Sequence, residues 1–512
     1  MTATRRMTSD RRQRRIRHRP ALLVALLLCL GATTLAQPAA QARQRADEPV
    51  RAGGPIRGGD PVRAGDPARG GDPVRAGAGA PVRAAGAGGS VRARAEDPVP
   101  ALTRAAHSLR TTEPAGGTRD LRAFGRMVGD AKVVGVGEAT HGSHEFIADK
   151  DRLFRYLVER KGFTTFALEV DWSAGLRIND YVLHGKGNAR QIMKEEFQNS
   201  YRFWNNQEYL DLIEWMRAYN THHARKVQFM GDDVGYAGPE LFDRVTDYAA
   251  RHAPALLPRL TALYRGQRPT PGSSVDSWMA GYMRKPLAER RDLAARAGQA
   301  LDLLRRQRPG ADRSEFAWTV RHARAISQVA SLYAYDLYTA AGNSAAMRFR
   351  DEAMAANTAW WQRRTGHKML LSAHNTHVAY VSDDPANYPK VQGAFLRDRL
   401  GDDYLSARLT FDAGSFNATA ASGTGTAVYT VGPAERGSNE YTLDQVPFRD
   451  YFLDMRTAPA AARAWLGEAR PTRNIGTAYP DTPRMTALGS SCDLLIHLHR
   501  VTASRLFDDR RR

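Results

Sequence analysis

Two short apolar runs separated by a single helix constrain the fold of this chain more than any other feature. Lys132–Val136 is rich in valine and closes on Gly137, and Thr164–Leu168 is a second run of the same kind. Between them Phe146, Leu153, Phe154, Leu157 and Val158 recur at helical spacing, with Gly162 as the stop. Strand, helix and strand in that order make a βαβ unit. Its crossover requires parallel strands and a right-handed connection.

The same pattern continues downstream. A helix over Tyr209–Tyr219 leads into a strand over Lys226–Met230. The stretch from about Pro239 to Thr365 then reads as helix almost throughout, rich in Ala, Leu and Arg. It is far too long for an ordinary crossover, so it is expected to be a helical hairpin or cap inserted into the sheet domain. The strand Lys368–Ser372 follows, with further strand candidates at Tyr404–Thr410, Ala427–Val431 and Asp493–His497. The expected fold class is α/β: a three-layer α/β/α core with a mainly parallel sheet and a large inserted helical hairpin or cap. One domain spans about 99–512, with its insert at about 239–365.

Chemistry gathers where these strands stop. Glu138 and His141 follow the first, Glu169 and then Asp171 the second, Asp232 and Asp233 the third, and His374 and His377 the fourth. In an open parallel sheet the carboxyl ends of the strands share one edge, and ligands bind in the crevice there. Glu138, His141, Glu169 and His374 are therefore expected to meet in one cleft.

The sharpest motif is Val-Gly-Val-Gly-Glu-Ala-Thr-His-Gly at 134–142. Its glycines permit a tight turn and keep side chains clear of the site. An imidazole three residues from a carboxylate suits an oriented general base. The bland alternative makes Glu138 a helix-entry residue and His141 an exposed loop residue. A carboxylate after the apolar run Phe166-Ala167-Leu168 needs a partner, and a structural ion pair with Arg177 is the alternative for Glu169. Asp232 and Asp233 could serve only as a turn or cap. His144, Glu145, His222, His223 and His367 read as solvated loop or helix-face residues. The chain has no Gly-x-Ser-x-Gly elbow, no His-Glu-x-x-His helix, no Walker-type loop and no Gly-x-Gly-x-x-Gly fingerprint. A serine esterase of the α/β-hydrolase type is disfavoured.

The first hundred residues belong to no core. Arginines from Arg5 to Arg19 precede the apolar run Ala21–Leu30, and a small-residue region ends in Ala40-Gln41-Ala42. This is the layout of a secretory signal peptide over 1–42, too short in its apolar part for a membrane span. The paired arginines at 11–12 and 14–15 leave twin-arginine export open. The leucines before Cys29 argue against a lipoprotein site. Residues 43–98 stutter through Asp-Pro-Val-Arg-Ala-Gly variants without an aromatic residue, which reads as a disordered Pro/Gly/Arg-rich tether. The expected location is secreted or associated with the cell envelope, with no stable membrane span after cleavage. About half of the +20 net charge falls in residues 1–100, and the remainder forms no dense basic block. A nucleic-acid partner is not expected. Of two cysteines only Cys492 would survive cleavage, so the mature chain makes no internal disulfide.

Several short motifs also occur in a fixed order: Gly-Glu-Ala-Thr-His-Gly-Ser-His-Glu-Phe (137–146), Phe-Ala-Leu-Glu-Val-Asp-Trp (166–172), Asn179-Asp180-Tyr181, Leu212-Ile213-Glu214-Trp215-Met216-Arg217, Arg350-Asp351-x-x-Met354-x-x-Asn357 and Ala373-His374-Asn375-Thr376-His377-Val378. Across about Leu121–His497 the chain thereby resembles the erythromycin esterase family. The resemblance implies a hydrolase without a serine nucleophile, in which a loop histidine is the general base for water attack on a macrolide lactone. His141 would fill that role, with Glu138, Glu169 and His374 positioning water and stabilising charge. Arg177, Asp233 and His377 are candidates for binding the substrate, a small-molecule ester or lactone. Gly231-Asp232-Asp233 departs from the family pattern, so only Asp233 carries over. The expected chemistry needs no cofactor, although the same Glu/His cluster could hold a divalent metal. Because the wider fold group includes haem-binding lipoproteins and metal-dependent peptidases, an exported protein that binds a small ligand or haem is a further alternative.

Overall fold

The computed structural model describes residues 97–507, apart from residues 271, 310, 311, 421, 422 and 424. The expected signal sequence and all but the last two residues of the expected tether lie outside the described residues. The strands, in chain order, are β1 (His107–Ser108), β2 (Val133–Val136), β3 (Phe163–Asp171), β4 (Gln228–Asp233), β5 (Lys368–Ser372), β6 (Tyr404–Ala420) and β7 (Thr426–Val431). After them come β8 (Asp450–Asp454), β9 (Arg470–Thr472), β10 (Ala478–Tyr479), β11 (Arg484–Thr486) and β12 (Leu494–Val501).

The main sheet runs β1-β8-β12-β6-β2-β5-β3-β4. From β12 to β4 every neighbouring pair is parallel. An antiparallel edge is added by β8 and β1. The expected βαβ unit is present, with β2 and β3 parallel and β5 lying between them. All four residues of β2 and all nine of β3 are buried. Burial on both faces is why these strands read as continuous apolar runs rather than alternating ones.

Alternate residues of the strands feed two cores. On one face Val134, Val136, Phe166 and Leu168 pack with Phe146, Phe154 and Leu157 of the helix His144–Lys161, and with Leu212 and Ile213 of the helix Gln207–His222. On the other, Val133, Ala167, Met230, Met369 and Leu371 pack against the insert. The insert contributes six α-helices among the described residues, from Pro239–His252 to Ala340–Thr365. It is more than a hairpin over the cleft, since its helices form the second helical layer of the sandwich. A stretch this long and this rich in Leu and Ala has apolar surface that only a sheet face can bury.

Four strands run beyond their expected ends, the last of them, β12, to Val501. Glu169 to Asp171 belong to β3, Asp232 and Asp233 belong to β4, and β6 continues to Ala420. The helix Trp172–His184 turns back directly from β3, and a Cβ on its Gly175 would meet the backbone of Gly231 in β4, while one on Gly231 would meet the β3 backbone at Val170 and Asp171. The two backbones therefore set the position of the β4 end. Cys492 is buried as expected, and burial pushes its thiol up to about 11. No helix among the described residues is long and apolar enough to cross a membrane.

Candidate functional site

The carboxyl ends of β2, β3 and β5 open into one cavity whose wall includes His141, Glu169, His374 and His377. Its empty space, open mouth included, is about 640 Å³. Its other walls come from Tyr201 and Trp204 in the short helical segment Asn199–Trp204, from Arg350 in the insert, and from the loop joining β9 to β11. Glu138 is not part of the wall. It sits behind His141, buried.

The imidazole of His141 is held from behind. Its Nδ1 lies 2.6 Å from Glu138 Oε1, which fixes the ring proton on Nδ1 and leaves the Nε2 lone pair free. No group among the described residues bonds to that Nε2. Trp204 packs against the ring with centroids 5.0 Å apart. Glu138 accepts a second contact on Oε2 from Lys150 Nζ at 2.5 Å. Lys150 is fully buried and also donates to Ser372 Oγ and the carbonyl of Ala373. Burial alone would raise the Glu138 pKa, but the Lys150 charge and the His141 contact hold it below the ordinary carboxylate range. The carboxylate therefore stays ionised beside the imidazole. Gly137 and Gly142 are required here for close approach: a Cβ would strike Asn375 at the first and the Asn417 backbone at the second. Neither has a positive φ, so packing, rather than a special turn conformation, demands glycine.

His374 faces His141 across the cavity, ring centroids 5.0 Å apart. Burial, reinforced by the neighbouring His141, lowers its pKa to about 3, so it is neutral. Its Nδ1 accepts the backbone N–H of Thr376 at 3.4 Å, which leaves the ring proton on Nε2. That Nε2 is buried and has no hydrogen-bond partner. The site thus contains one imidazole nitrogen ready to accept a proton and, opposite it, one ready to donate a hydrogen bond.

Glu169 anchors the rest. Its Oε2 accepts the backbone N–H of His374 at 2.9 Å and its Oε1 accepts Arg350 Nη2 at 2.9 Å. Burial would raise its pKa, but His377 and Arg350 hold it well below the usual range. Arg350 also grips Asp233 through Nε and Nη2. His377 Nδ1 lies 2.7 Å from Asp351 and its Nε2 lies 3.3 Å from Glu169. Burial opposes a charge on His377, yet these two carboxylates lift its pKa to about 10. Asp233 meets Tyr201 OH at 2.8 Å. Burial and the adjacent Asp233 push the Asp171 carboxyl well above its ordinary range. Asp232 is turned away, bonded to Thr358 and Gln392.

Of the residues singled out in the sequence, Arg177 lies elsewhere. Its guanidinium pairs with Glu195 at 2.6 Å and Glu196 at 2.5 Å, and it lines no part of the cavity. Arg350 is instead the guanidinium beside Glu169. His144, expected to be solvated, is half-buried between Glu208 and Glu113, each at 2.8 Å; the Glu208 hydrogen bond leads in raising its pKa to about 9. Glu145 binds Thr502. Residues not foreseen as part of the site are Lys150, Tyr201, Trp204, Arg350, Asp383, Asp384, Asn474 and Arg484. Among the described residues the set at metal-ligand spacing is Asp412, Asp444 and His499, outside this cavity.

Residues 158–501, about two thirds of the chain, match the profile of a family described as erythromycin esterase. The match begins after Glu138 and His141. An Escherichia coli erythromycin esterase type II is 33% identical over 115 residues, 22% of this chain and 26% of that protein. The type I enzyme of Escherichia coli is 30% identical over 108 residues, 21% and 25% of the respective chains. The aligned stretch thus spans about a quarter of these curated relatives. A solved succinoglycan biosynthesis protein superposes with a TM-score of 0.71 at 29% identity, covering 82% of this chain and 100% of its own. A Bacillus cereus protein gives 0.73 at 30%, covering 80% and 98%. An erythromycin esterase variant in its open conformation gives 0.59 at 18%, covering 78% and 99%, a likeness of fold.

Proposed function

The chain belongs to the erythromycin esterase family, and from that premise we propose that it is an exported hydrolase that cleaves an ester or lactone with a water molecule activated by His141. The observation that carries the reading is the facing pair of imidazoles: His141 with a free Nε2 and Glu138 behind it, and His374 neutral with an unpartnered Nε2–H.

Water held at His141 Nε2 gives up a proton to the ring as its oxygen adds to the carbonyl carbon. Glu138 stabilises the imidazolium that forms, as a buried carboxylate behind a catalytic histidine does. The developing oxyanion takes the hydrogen bond of His374 Nε2–H, a donor already desolvated and in place. Collapse of the tetrahedral intermediate breaks the carbon–oxygen bond, and the imidazolium protonates the departing alkoxide. Arg350 and the charged His377 keep Glu169 ionised, and Glu169 in turn holds the His374 backbone. Macrolide lactones are the substrate class that the family suggests.

Replacing His141 with alanine tests this. A positioned base is worth about 10²–10⁴-fold, so turnover of a panel of macrolactones and simple esters should fall by that order while the fold is retained. Hydrolysis is expected to survive chelation, because the carboxylates beside these imidazoles are already committed, Glu138 to Lys150 and Glu169 to Arg350 and the His374 backbone. Near-wild-type turnover by His141→Ala would end the proposal, and loss of turnover on chelation would replace it with a metal-dependent mechanism using the same cluster.

A further inference from the structure

The loop between β9 and β11, residues 473–483, is a partition. On one side it walls the catalytic cavity. On the other it walls a second cavity of about 780 Å³, mouth included, and Asn474 and Asp481 belong to both walls. The short helix Asn439–Leu443 closes the second cavity and brings Glu440 into it.

Three buried acceptor oxygens of this wall have no partner. Glu440 is fully buried; its Oε1 accepts the backbone N–H of Arg473 at 2.8 Å, and its Oε2 has no partner. Asp481 Oδ2 and Asn474 Oδ1 are likewise buried without a partner. The Asn474 amide nitrogen is committed to Thr376 Oγ1 at 2.9 Å and Asp383 Oδ2 at 2.8 Å, so its oxygen is the atom left over. Arg473 also lines the cavity, but its guanidinium is tied to the carbonyls of Asp412 and Gly432. Buried acceptors are normally satisfied, and here the missing element is a donor carrying positive charge. Burial pushes the Glu440 carboxyl up to about 7 against the nearby Arg408 and Arg473, and raises that of Asp481 although Arg484 lies 3.6 Å from its Oδ1, which leaves Oδ2 unpartnered.

We propose that the second cavity is a subsite for a protonated amine, carried on an arm of the ester or lactone that reaches past the partition to Glu440 and Asp481. The inference rests on the hydrolase reading for what bears the amine, and on the cavity wall for the amine itself. A neutral polyol would satisfy the oxygens but leave their charge buried.

The test is equilibrium binding to full-length His141→Ala, which separates recognition from turnover. The probes are two ladders of alkanoate esters, matched in chain length and ending in either an amine or a hydroxyl. At the length that spans the partition the amine should bind about tenfold tighter or more, a difference of about 1.4 kcal/mol. That preference should grow as pH rises through about 7, where Glu440, beside Arg408 and Arg473 and sharing the cavity wall with Glu435 and Asp481, ionises. Adding Glu440→Gln should bring the two ladders to equal affinity. Asp481→Asn, at the better exposed carboxylate, should weaken the preference in the same direction if Glu440→Gln fails to fold. Equal affinities in the parent, whether measurable or absent, or a preference that both substitutions leave intact, would overturn the subsite and mark the cavity as filled by water only. Failure of the hydrolase reading is read separately, in wild-type turnover of the hydroxyl ladder.

Discussion

Lys150 carries its ammonium into the interior and sets it 2.5 Å from Glu138. Removing one partner of such a pair strands the other charge without water, at a cost of about 3–5 kcal/mol. Lys150→Met should therefore lower unfolding stability by that order in urea titrations and abolish ester turnover. Adding Glu138→Gln should restore much of the stability and none of the rate. Wild-type turnover by Lys150→Met would detach the lysine from the site. His377 makes a prediction in pH. Its folded pKa of about 10 exceeds the ordinary 6.5, so its ion pairs contribute fully below about pH 6.5 and are lost as pH climbs through 10. Glu169 behaves oppositely: its depressed pKa adds stability above about 4.5 that is lost in acid. Wild-type stability should thus decline on the alkaline side, and His377→Asn should flatten that limb. Lys150 was not foreseen, although its place four residues from both Phe146 and Phe154, on an apolar helix stripe where a charge needs a partner, is a signal that could have found it. The exchange of Arg177 for Arg350 had no such signal. Arg350 lies 181 residues from Glu169 along the chain, a contact made by folding that no periodicity encodes.

The helix Ala340–Thr365 is fastened to the strand ends by Asp351 on His377, by Asn357 and Thr358 on Asp232, and by the guanidinium of Arg350. Arg350 contacts Glu169 and Asp233, so it holds the insert to β3 and β4 at once and, through Glu169 and the His374 N–H, to the segment after β5. A lysine cannot reproduce that fork. Each charge-assisted hydrogen bond is worth about 1.5–3 kcal/mol, so Arg350→Lys should cost a few kcal/mol. It should also speed amide exchange in both the helix and the ends of β3 and β4. Exchange confined to the helix would mean that the strand ends do not depend on it. The parallel strands and the insert could be read from the sequence because burial on both faces and a long helical period each leave a plain signature. The strand β8 could not: two of its five residues are aspartates and it pairs antiparallel toward the sheet edge. The far half of β6 was hidden by Asp412 and by Gly414, whose φ of 136° lets the strand run against Val501 of β12. The partition between β9 and β11 carries no periodic signal, although it supplies Asn474 and Asp481 to the cavity.

At the scale of the whole chain, export and catalysis are expected to be separable. Cleavage after Ala42 would leave Arg43 as the first residue of protein recovered from the medium or cell envelope, which N-terminal sequencing reads directly. A chain starting at Asp97 should match the full-length protein in kcat/KM, since the cavity wall is drawn from residues 141–484; a clear loss would give the preceding segment a part in the site. The strand-end logic located His141, Glu169 and His374 together, because a parallel sheet brings the ends of strands distant in sequence to one edge. It had no means of finding walls built by loops. The insert leaves the sheet after β4 and returns at β5, as a detachable cassette would, yet Arg350 rides on its last helix. Exchanging inserts among relatives is thus a route to new substrate ranges only for donors that bring a guanidinium to the same place; any other graft would deliver a new wall and unbuckle the carboxylates beneath it.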